Sequence, residues 1–92
     1  MRVIVREEAA DDLDGIFAWA AKHNPAAAFE LIGRIRDRIE RLATPGLSHI
    51  GRFGDIAGTR ELIEAPYIVV YEVDERRSEI VVVAVFHARQ ER

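Results

Sequence analysis

Residues 58–71 have the sequence GTRELIEAPYIVVY, and this stretch decides the fold. Residues 59–64 and 67–73 are both β-forming runs, and Ala65-Pro66 between them is typical of a tight turn. A third apolar run, residues 79–86, follows the polar turn Asp74-Glu75-Arg76-Arg77. These three runs predict an antiparallel meander of three strands.

The chain before this meander changes its hydrophobic period from two to 3.6. Residues 3–5, Val-Ile-Val, form a short β-branched run that predicts a first strand. From Glu7, apolar residues recur at helical spacing, and a second helical stripe begins after Asn24-Pro25, a favoured N-cap followed by a favoured first helical residue. We predict two helices in an αα-hairpin, and then a loop from Thr44 to residue 57.

These elements predict an α+β fold over residues 1–92, in one domain, with the helical hairpin packed on one face of the sheet. The runs 68–70 and 80–85 are almost wholly apolar, as in central strands that are covered on both faces. The two helices are connected too closely to cover both faces. We therefore expect a protein partner to cover the second face.

Composition argues against several classes of function. The 16 acidic residues outnumber the 13 basic ones, giving a net charge of -3, so a general nucleic-acid-binding face and direct DNA binding are not expected. Cysteine is absent, and the acidic residues at the start of the first helix fit a solvated face better than a metal site. We expect no metal and no cofactor. The longest apolar run has seven residues and the N-terminus lacks the pattern of a signal peptide, which predicts a cytoplasmic protein without membrane contact.

Several side chains are open to both structural and functional interpretations. Trp19 could pack between the helices or, if exposed, could mark a partner groove. Arg60 could form an ion pair with Glu61, Glu64 or a helix carboxylate, or it could bind a target or a phosphate. His87, at the end of the last strand, could be a packing residue or a proton shuttle.

The segments Gly58-Thr59-Arg60-Glu61-Leu62, Pro66-Tyr67 with Val69-Val70-Tyr71, and His87-Ala88-Arg89 resemble the RelE/ParE superfamily of toxins from bacterial type II toxin-antitoxin modules. The resemblance covers essentially the whole chain and is strongest to the ParE branch. It implies a toxin that is neutralised by a cognate antitoxin, typically of ribbon-helix-helix type. It also implies that the complex contacts operator DNA through the antitoxin.

The resemblance implies two possible targets. A ParE-like toxin binds DNA gyrase and traps its cleaved-DNA state, without being a hydrolase. A RelE-like toxin cleaves mRNA on the ribosome, and under this alternative Arg60 and His87 would be catalytic. A third possibility is an inactive member that only binds its antitoxin. The lysine-rich segments of many ribosome-dependent members are absent here, which favours the ParE-like function. The candidate residues for binding the target or the antitoxin are Trp19, Arg52, Arg60 and Arg89.

Overall fold

The computed structural model describes residues 1–89, which contain two helices and five strands. In chain order they are β1 (Arg2–Val5), α1 (Glu7–Ala21), α2 (Pro25–Arg41), β2 (Arg52–Phe53), β3 (Arg60–Glu64), β4 (Tyr67–Asp74) and β5 (Glu79–His87). The predicted strands and helices are all present. Strand β2 lies within the predicted loop, and its two residues are too few to show a strand pattern in the sequence.

The five strands form one mixed sheet in the order β1-β5-β4-β3-β2. Strands β3, β4 and β5 are antiparallel neighbours, which confirms the predicted meander. Strand β1 pairs in parallel with β5, from Arg2 opposite Glu79 to Val5 opposite Val82. The first and last strands of the chain are therefore neighbours, and β1 and β2 form the two edges of the sheet.

The helical hairpin begins and turns where local chemistry predicts. Glu7 and Glu8 lie in the first turn of α1, where carboxylates interact favourably with the positive end of the helix dipole. At the start of α2 the Asn24 side chain accepts a hydrogen bond of 3.1 Å from the backbone N–H of Ala27, and Pro25 is the first helical residue. The predicted N-cap is confirmed.

Both helices pack on one face of the sheet and enclose the core there, as predicted. The core residues are apolar or aromatic and come from both helices, from the residue directly after α2, and from β3, β4 and β5: Ala9, Leu13, Ile35, Ile39, Leu42, Leu62, Tyr67, Val69, Tyr71, Ile80, Val82 and Val85. In β4 the core residues Tyr67, Val69 and Tyr71 follow the period of two, and Val69 is aligned with Leu62 and Val85 on the neighbouring strands. A register shift at Val70/Tyr71 interrupts this period in β5, between Val82 and Val85. Burial of these side chains is the main stabilising contribution to the fold.

The opposite face of the sheet has no helix over it within residues 1–89, because both helices contribute to the same core. Alternation in the strands places Ile63, Val70, Ala84 and Phe86 on this second face. Ile63 is exposed and the other three side chains are half-buried. The apolar surface that the sequence predicts on the second face is therefore present.

The arginines of α2 include two that are directed at the sheet. Arg34 and Arg38 both contact the carboxylate of Glu64 on β3, at 3.5 and 3.3 Å. These ion pairs join the second helix to the sheet. They also neutralise part of a helix surface that could otherwise resemble a nucleic-acid-binding stripe.

Candidate functional site

A cleft between α1 and β5 exists because β1 is shorter than β5. Directly after β1, the backbone N–H of Arg6 donates a hydrogen bond to the carbonyl of Val82 on β5. From there on, α1 lies beside β5 in place of a neighbouring strand. There the Asp12 carboxylate accepts a hydrogen bond of 2.9 Å from the N–H of Val85. The cleft that remains, here called the α1–β5 cleft, has a volume of about 470 Å³ and is lined by Asp11, Asp12, Gly15, Ile16, Trp19, Tyr67, Val85 and His87.

Aromatic side chains form much of the wall of the α1–β5 cleft. Trp19 is 63% exposed and contacts the ring of His23 edge-on, with ring centroids 5.5 Å apart. On the strand side, Tyr67 and His87 pack edge to face at 5.4 Å. Trp19 is therefore exposed in the cleft and not packed between the two helices.

Arg60 lies at the other end of the sheet and binds the loop that precedes β2. Its Nη1 atom donates hydrogen bonds to the carbonyl oxygens of His49, at 3.0 Å, and of Gly51, at 2.8 Å. Its guanidinium also lies 4.6 Å from the centre of the Phe53 ring, within the range of a cation–π interaction. Arg60 therefore holds the loop against β3.

Within residues 1–89 Arg60 forms no salt bridge, so its pairing with Glu61, Glu64 or a helix carboxylate is wrong. Other arginines bind both Glu61 and Glu64. Arg52 lies opposite Glu61 in the β2–β3 register and contacts its carboxylate at 2.8 Å. Glu64 is bound by the two arginines of α2. The pairing of β2 with β3, which the sequence did not predict, supplies Arg52 to Glu61 and leaves Arg60 to the loop carbonyls.

Tyr71 completes the attachment of this loop from inside the core. The backbone N–H of Gly51 donates a hydrogen bond of 2.9 Å to the buried Tyr71 hydroxyl. Burial raises the pKa of Tyr71, and the hydrogen bond from Gly51 and the charge of Arg60 oppose that rise. A Cβ atom on Gly51 would lie 2.7 Å from the Tyr71 hydroxyl, so glycine is required here for close approach.

A smaller cavity of about 210 Å³ lies beside Arg60 and is lined by His49, Phe53, Gly58, Thr59, Arg60 and Val73. His49 contributes its imidazole, whose Nε2 atom lies 3.3 Å from the Glu75 carboxylate and whose Nδ1 atom lies 3.1 Å from the Ser48 hydroxyl. His49 was not predicted as a site residue. It lies in an aperiodic segment, and no sequence pattern connects it with Arg60.

The structure does not bring Arg60 and His87 together. Arg60 is opposite Tyr71 on one side of β4, and His87 is opposite Tyr67 on the other side. Four residues along β4 correspond to about 13 Å, and the two flanking strands are about 10 Å apart. The two side chains line different cavities.

The remaining two candidates lie near these cavities. Arg52 is exposed on the edge strand and is held by Glu61. Arg89 is also exposed, directly after β5, and its N–H donates to the Nδ1 atom of His87 at 3.1 Å. Three large apolar side chains around β2, Ile50, Phe53 and Ile56, are exposed as well. The end of the sheet around β2 therefore combines arginine with apolar surface, a composition typical of protein-binding surfaces.

Residues 1–89 contain neither a metal-binding cluster nor a membrane-spanning helix. Their His, Asp and Glu side chains form no group of three that could hold a metal ion. Neither helix in this range is long and apolar enough to cross a membrane.

A helical hairpin on one face of a mixed five-stranded sheet, with exposed aromatic and arginine side chains at both ends, defines a small α+β protein with surfaces suited to protein recognition. The sequence profile described as "ParE toxin of type II toxin-antitoxin system, parDE" matches residues 3–92. The chain therefore belongs to the ParE toxin family of type II toxin-antitoxin systems, within the RelE/ParE superfamily.

Individual proteins agree with this assignment. The protein Y4kP of Sinorhizobium fredii (strain NBRC 101917 / NGR234), named as a candidate toxin, is 37% identical over 81 residues, which span 86% of this chain and 79% of Y4kP. A structure of the chromosomal ParDE system of P. aeruginosa superposes with a TM-score of 0.80 at 23% identity, covering 95% of each chain. The RelBE2 toxin-antitoxin complex of Mycobacterium tuberculosis gives a TM-score of 0.66 at 20% identity, covering 94% of this chain and 95% of the other. The two structures show that the fold is shared.

Proposed function

We propose that this toxin is neutralised by a cognate antitoxin and acts, when released, by binding DNA gyrase and trapping its cleaved-DNA state. The observation that carries the choice of target is the separation of Arg60 from His87. Membership of the ParE family and the net charge of -3 support the same choice.

RNA cleavage by Arg60 and His87 acting together would require a different arrangement. A general acid or base must come within hydrogen-bond distance of the group that it protonates or deprotonates, and the cation must contact the phosphate at the same bond. Here the Arg60 side chain donates to two loop carbonyls on the far side of β4 from His87. These bonds hold the Arg60 guanidinium at the loop, away from the cavity that His87 lines.

The exposed surfaces support a role in protein binding. Trp19 and Phe53 are 63% and 81% exposed, and Ile63 is exposed on the face of the sheet without a helix. Aromatic and arginine side chains dominate the binding energy of many protein interfaces. We assign Trp19, Arg52, Arg60 and Arg89 to contacts with the target or the antitoxin.

The family and the similar structures, a ParDE system and a RelBE2 toxin-antitoxin complex, support an antitoxin partner. We propose a partner of ribbon-helix-helix type whose C-terminal segment covers apolar surface of the toxin. Because the toxin is acidic, the antitoxin would supply the contacts to operator DNA. A gyrase poison would act in the cytoplasm.

The test is expression of the protein in bacteria without its antitoxin, followed by two measurements on the same cells. The proposal predicts induction of the DNA-damage response while messenger RNA remains intact. Cleaved messages near ribosomal A sites with undamaged DNA would contradict it and would support the mRNA interferase alternative. Soluble protein without any effect on growth would support an inactive, antitoxin-binding member.

A further inference from the structure

Helix α1 carries an excess of negative charge, whereas the glutamates of the sheet are paired with arginines. In the sheet, Glu61, Glu64, Glu72 and Glu79 each contact an arginine. Helix α1 carries five acidic residues and no basic residue. Four of these acidic residues form no salt bridge within residues 1–89: Glu7, Glu8, Asp11 and Asp14. Glu7 and Glu8 interact with the helix dipole. Asp11 lies a turn further along and lines the α1–β5 cleft.

The same cleft offers an aromatic surface beside these carboxylates. Trp19 lies two turns after Asp12 on α1, and its exposed indole lines the cleft together with Asp11 and Asp12. A guanidinium group combines both modes of recognition, because its plane stacks on an indole face while its N–H groups bind a carboxylate. An ammonium group would make the charge contact without the stacking plane.

Gly15 keeps the cleft open between the acidic and aromatic residues. A Cβ atom at this position would have no other atom within 4 Å, so nothing within the fold excludes a larger side chain. Glycine in a helix costs roughly 1 kcal/mol relative to alanine. The missing side chain leaves space for an incoming group in the cleft.

We infer that the α1–β5 cleft binds an arginine side chain, flanked by apolar residues, from the antitoxin. This inference rests on the proposed antitoxin partnership and adds the chemistry of one contact. The guanidinium would stack on Trp19 and pair with Asp11, and apolar neighbours would cover Ile16 and Tyr67. The negative charge of α1 would also accelerate association with a basic segment.

Two pairs of variants separate this contact from a general effect on folding. Gly15→Gln fills the cleft, and Gly33→Gln makes the same change on α2, where a Cβ atom also meets nothing within 4 Å. Asp11→Asn removes a cleft charge, and Asp37→Asn removes an exposed charge from α2. We expect Gly15→Gln and Asp11→Asn to weaken antitoxin binding at least about tenfold, and the two α2 variants to change it less than about twofold. All four should remain folded by circular dichroism.

The first experiment measures, by calorimetry, how tightly the toxin binds the protein encoded by the adjacent reading frame. The second measures how the toxin binds overlapping synthetic peptides from that protein, in which any tryptophan is replaced by phenylalanine. Trp19 is the single tryptophan of the toxin, so its emission reports cleft occupancy directly. We expect an arginine-containing peptide to shift this emission to shorter wavelength, and the same peptide with glutamine in place of that arginine to lose the shift.

Four results would overturn the inference. If the antitoxin binds but the cleft variants bind as tightly as their α2 controls, the contact is elsewhere and the proposed function stands. If the unaltered toxin binds no product of the adjacent frame, the proposed partnership and this inference fail together. The Trp19 emission of the isolated toxin could already be blue-shifted and move to longer wavelength when residues 90–92 are deleted. That result would assign the cleft to the chain's own terminus. A shift that depends on toxin concentration alone would assign it to a second copy.

Discussion

Replacing Arg60 by alanine tests whether this residue holds the loop before β2, as the structure indicates. The change removes one part-buried hydrogen bond to the Gly51 carbonyl, one exposed hydrogen bond to the His49 carbonyl, and the stacking on Phe53. Counting about 1.5 kcal/mol for the part-buried bond and about 0.5 kcal/mol for each exposed contact gives a loss of about 2.5 kcal/mol. In a domain of this size each kcal/mol lowers Tm by roughly 4–8 °C, so the expected decrease is about 10–20 °C.

The assay is thermal unfolding, with amide hydrogen exchange at Gly51 as a local measurement. The Gly51 N–H donates to Tyr71, and releasing the loop should increase its exchange rate. Arg6→Ala is the matched control, because Arg6 makes a single 3.7 Å contact with Glu72 and both side chains are substantially exposed. Such a pair contributes about 0–1 kcal/mol. If Arg60→Ala unfolds at the same temperature as Arg6→Ala, with Gly51 still protected, Arg60 does not hold the loop.

Other predictions concern the core behind this loop and the helices. Tyr71→Phe leaves the buried Gly51 N–H without an acceptor and should lower the free energy of unfolding by about 1–3 kcal/mol in denaturant titrations. Because burial raises the pKa of Tyr71, the folded protein keeps the hydroxyl proton while the unfolded chain loses it near pH 10. The free energy of unfolding should therefore fall as pH rises above about 10. The fall should be less steep in Tyr71→Phe than in the unaltered protein. Gly51→Ala should destabilise by about 1–3 kcal/mol through its clash with Tyr71, whereas Gly33→Ala should stabilise by up to about 1 kcal/mol; equal effects would refute the close-approach argument. Asn24→Ala should cost about 1 kcal/mol by removing the cap of α2, and an unchanged unfolding curve would contradict that assignment.

The elements that the sequence predicted are those whose signals are local. The helices follow from apolar spacing and from the Asn24-Pro25 cap, and the meander follows from three β-forming runs with short turns. The pairing of β1 with β5 joins residues that are more than 70 positions apart, and no local pattern specifies it. Strand β2 has two residues and exists only because β3 supplies a neighbour.

The candidate site was predictable in its residue types but not in its contacts. Arg60 and His87 are conspicuous in the sequence, yet their distance is set by the register of three strands. The partners of Arg60 are backbone carbonyls, which are present at every residue and therefore leave no sequence signal. Trp19 lies on the helical face that borders β5, and its exposure is set by the packing of α1 on the sheet, which no local pattern specifies.

The most direct test of the proposed mechanism is a DNA-cleavage assay with purified gyrase, supercoiled plasmid and the purified toxin, in its unaltered form and as His87→Ala. A poison that acts by protein binding should produce linear plasmid after protein denaturation, in amounts that rise with toxin concentration and that are similar for both forms. The account would be contradicted if neither form produced linear plasmid while the unaltered toxin cleaved mRNA on translating ribosomes and His87→Ala did not.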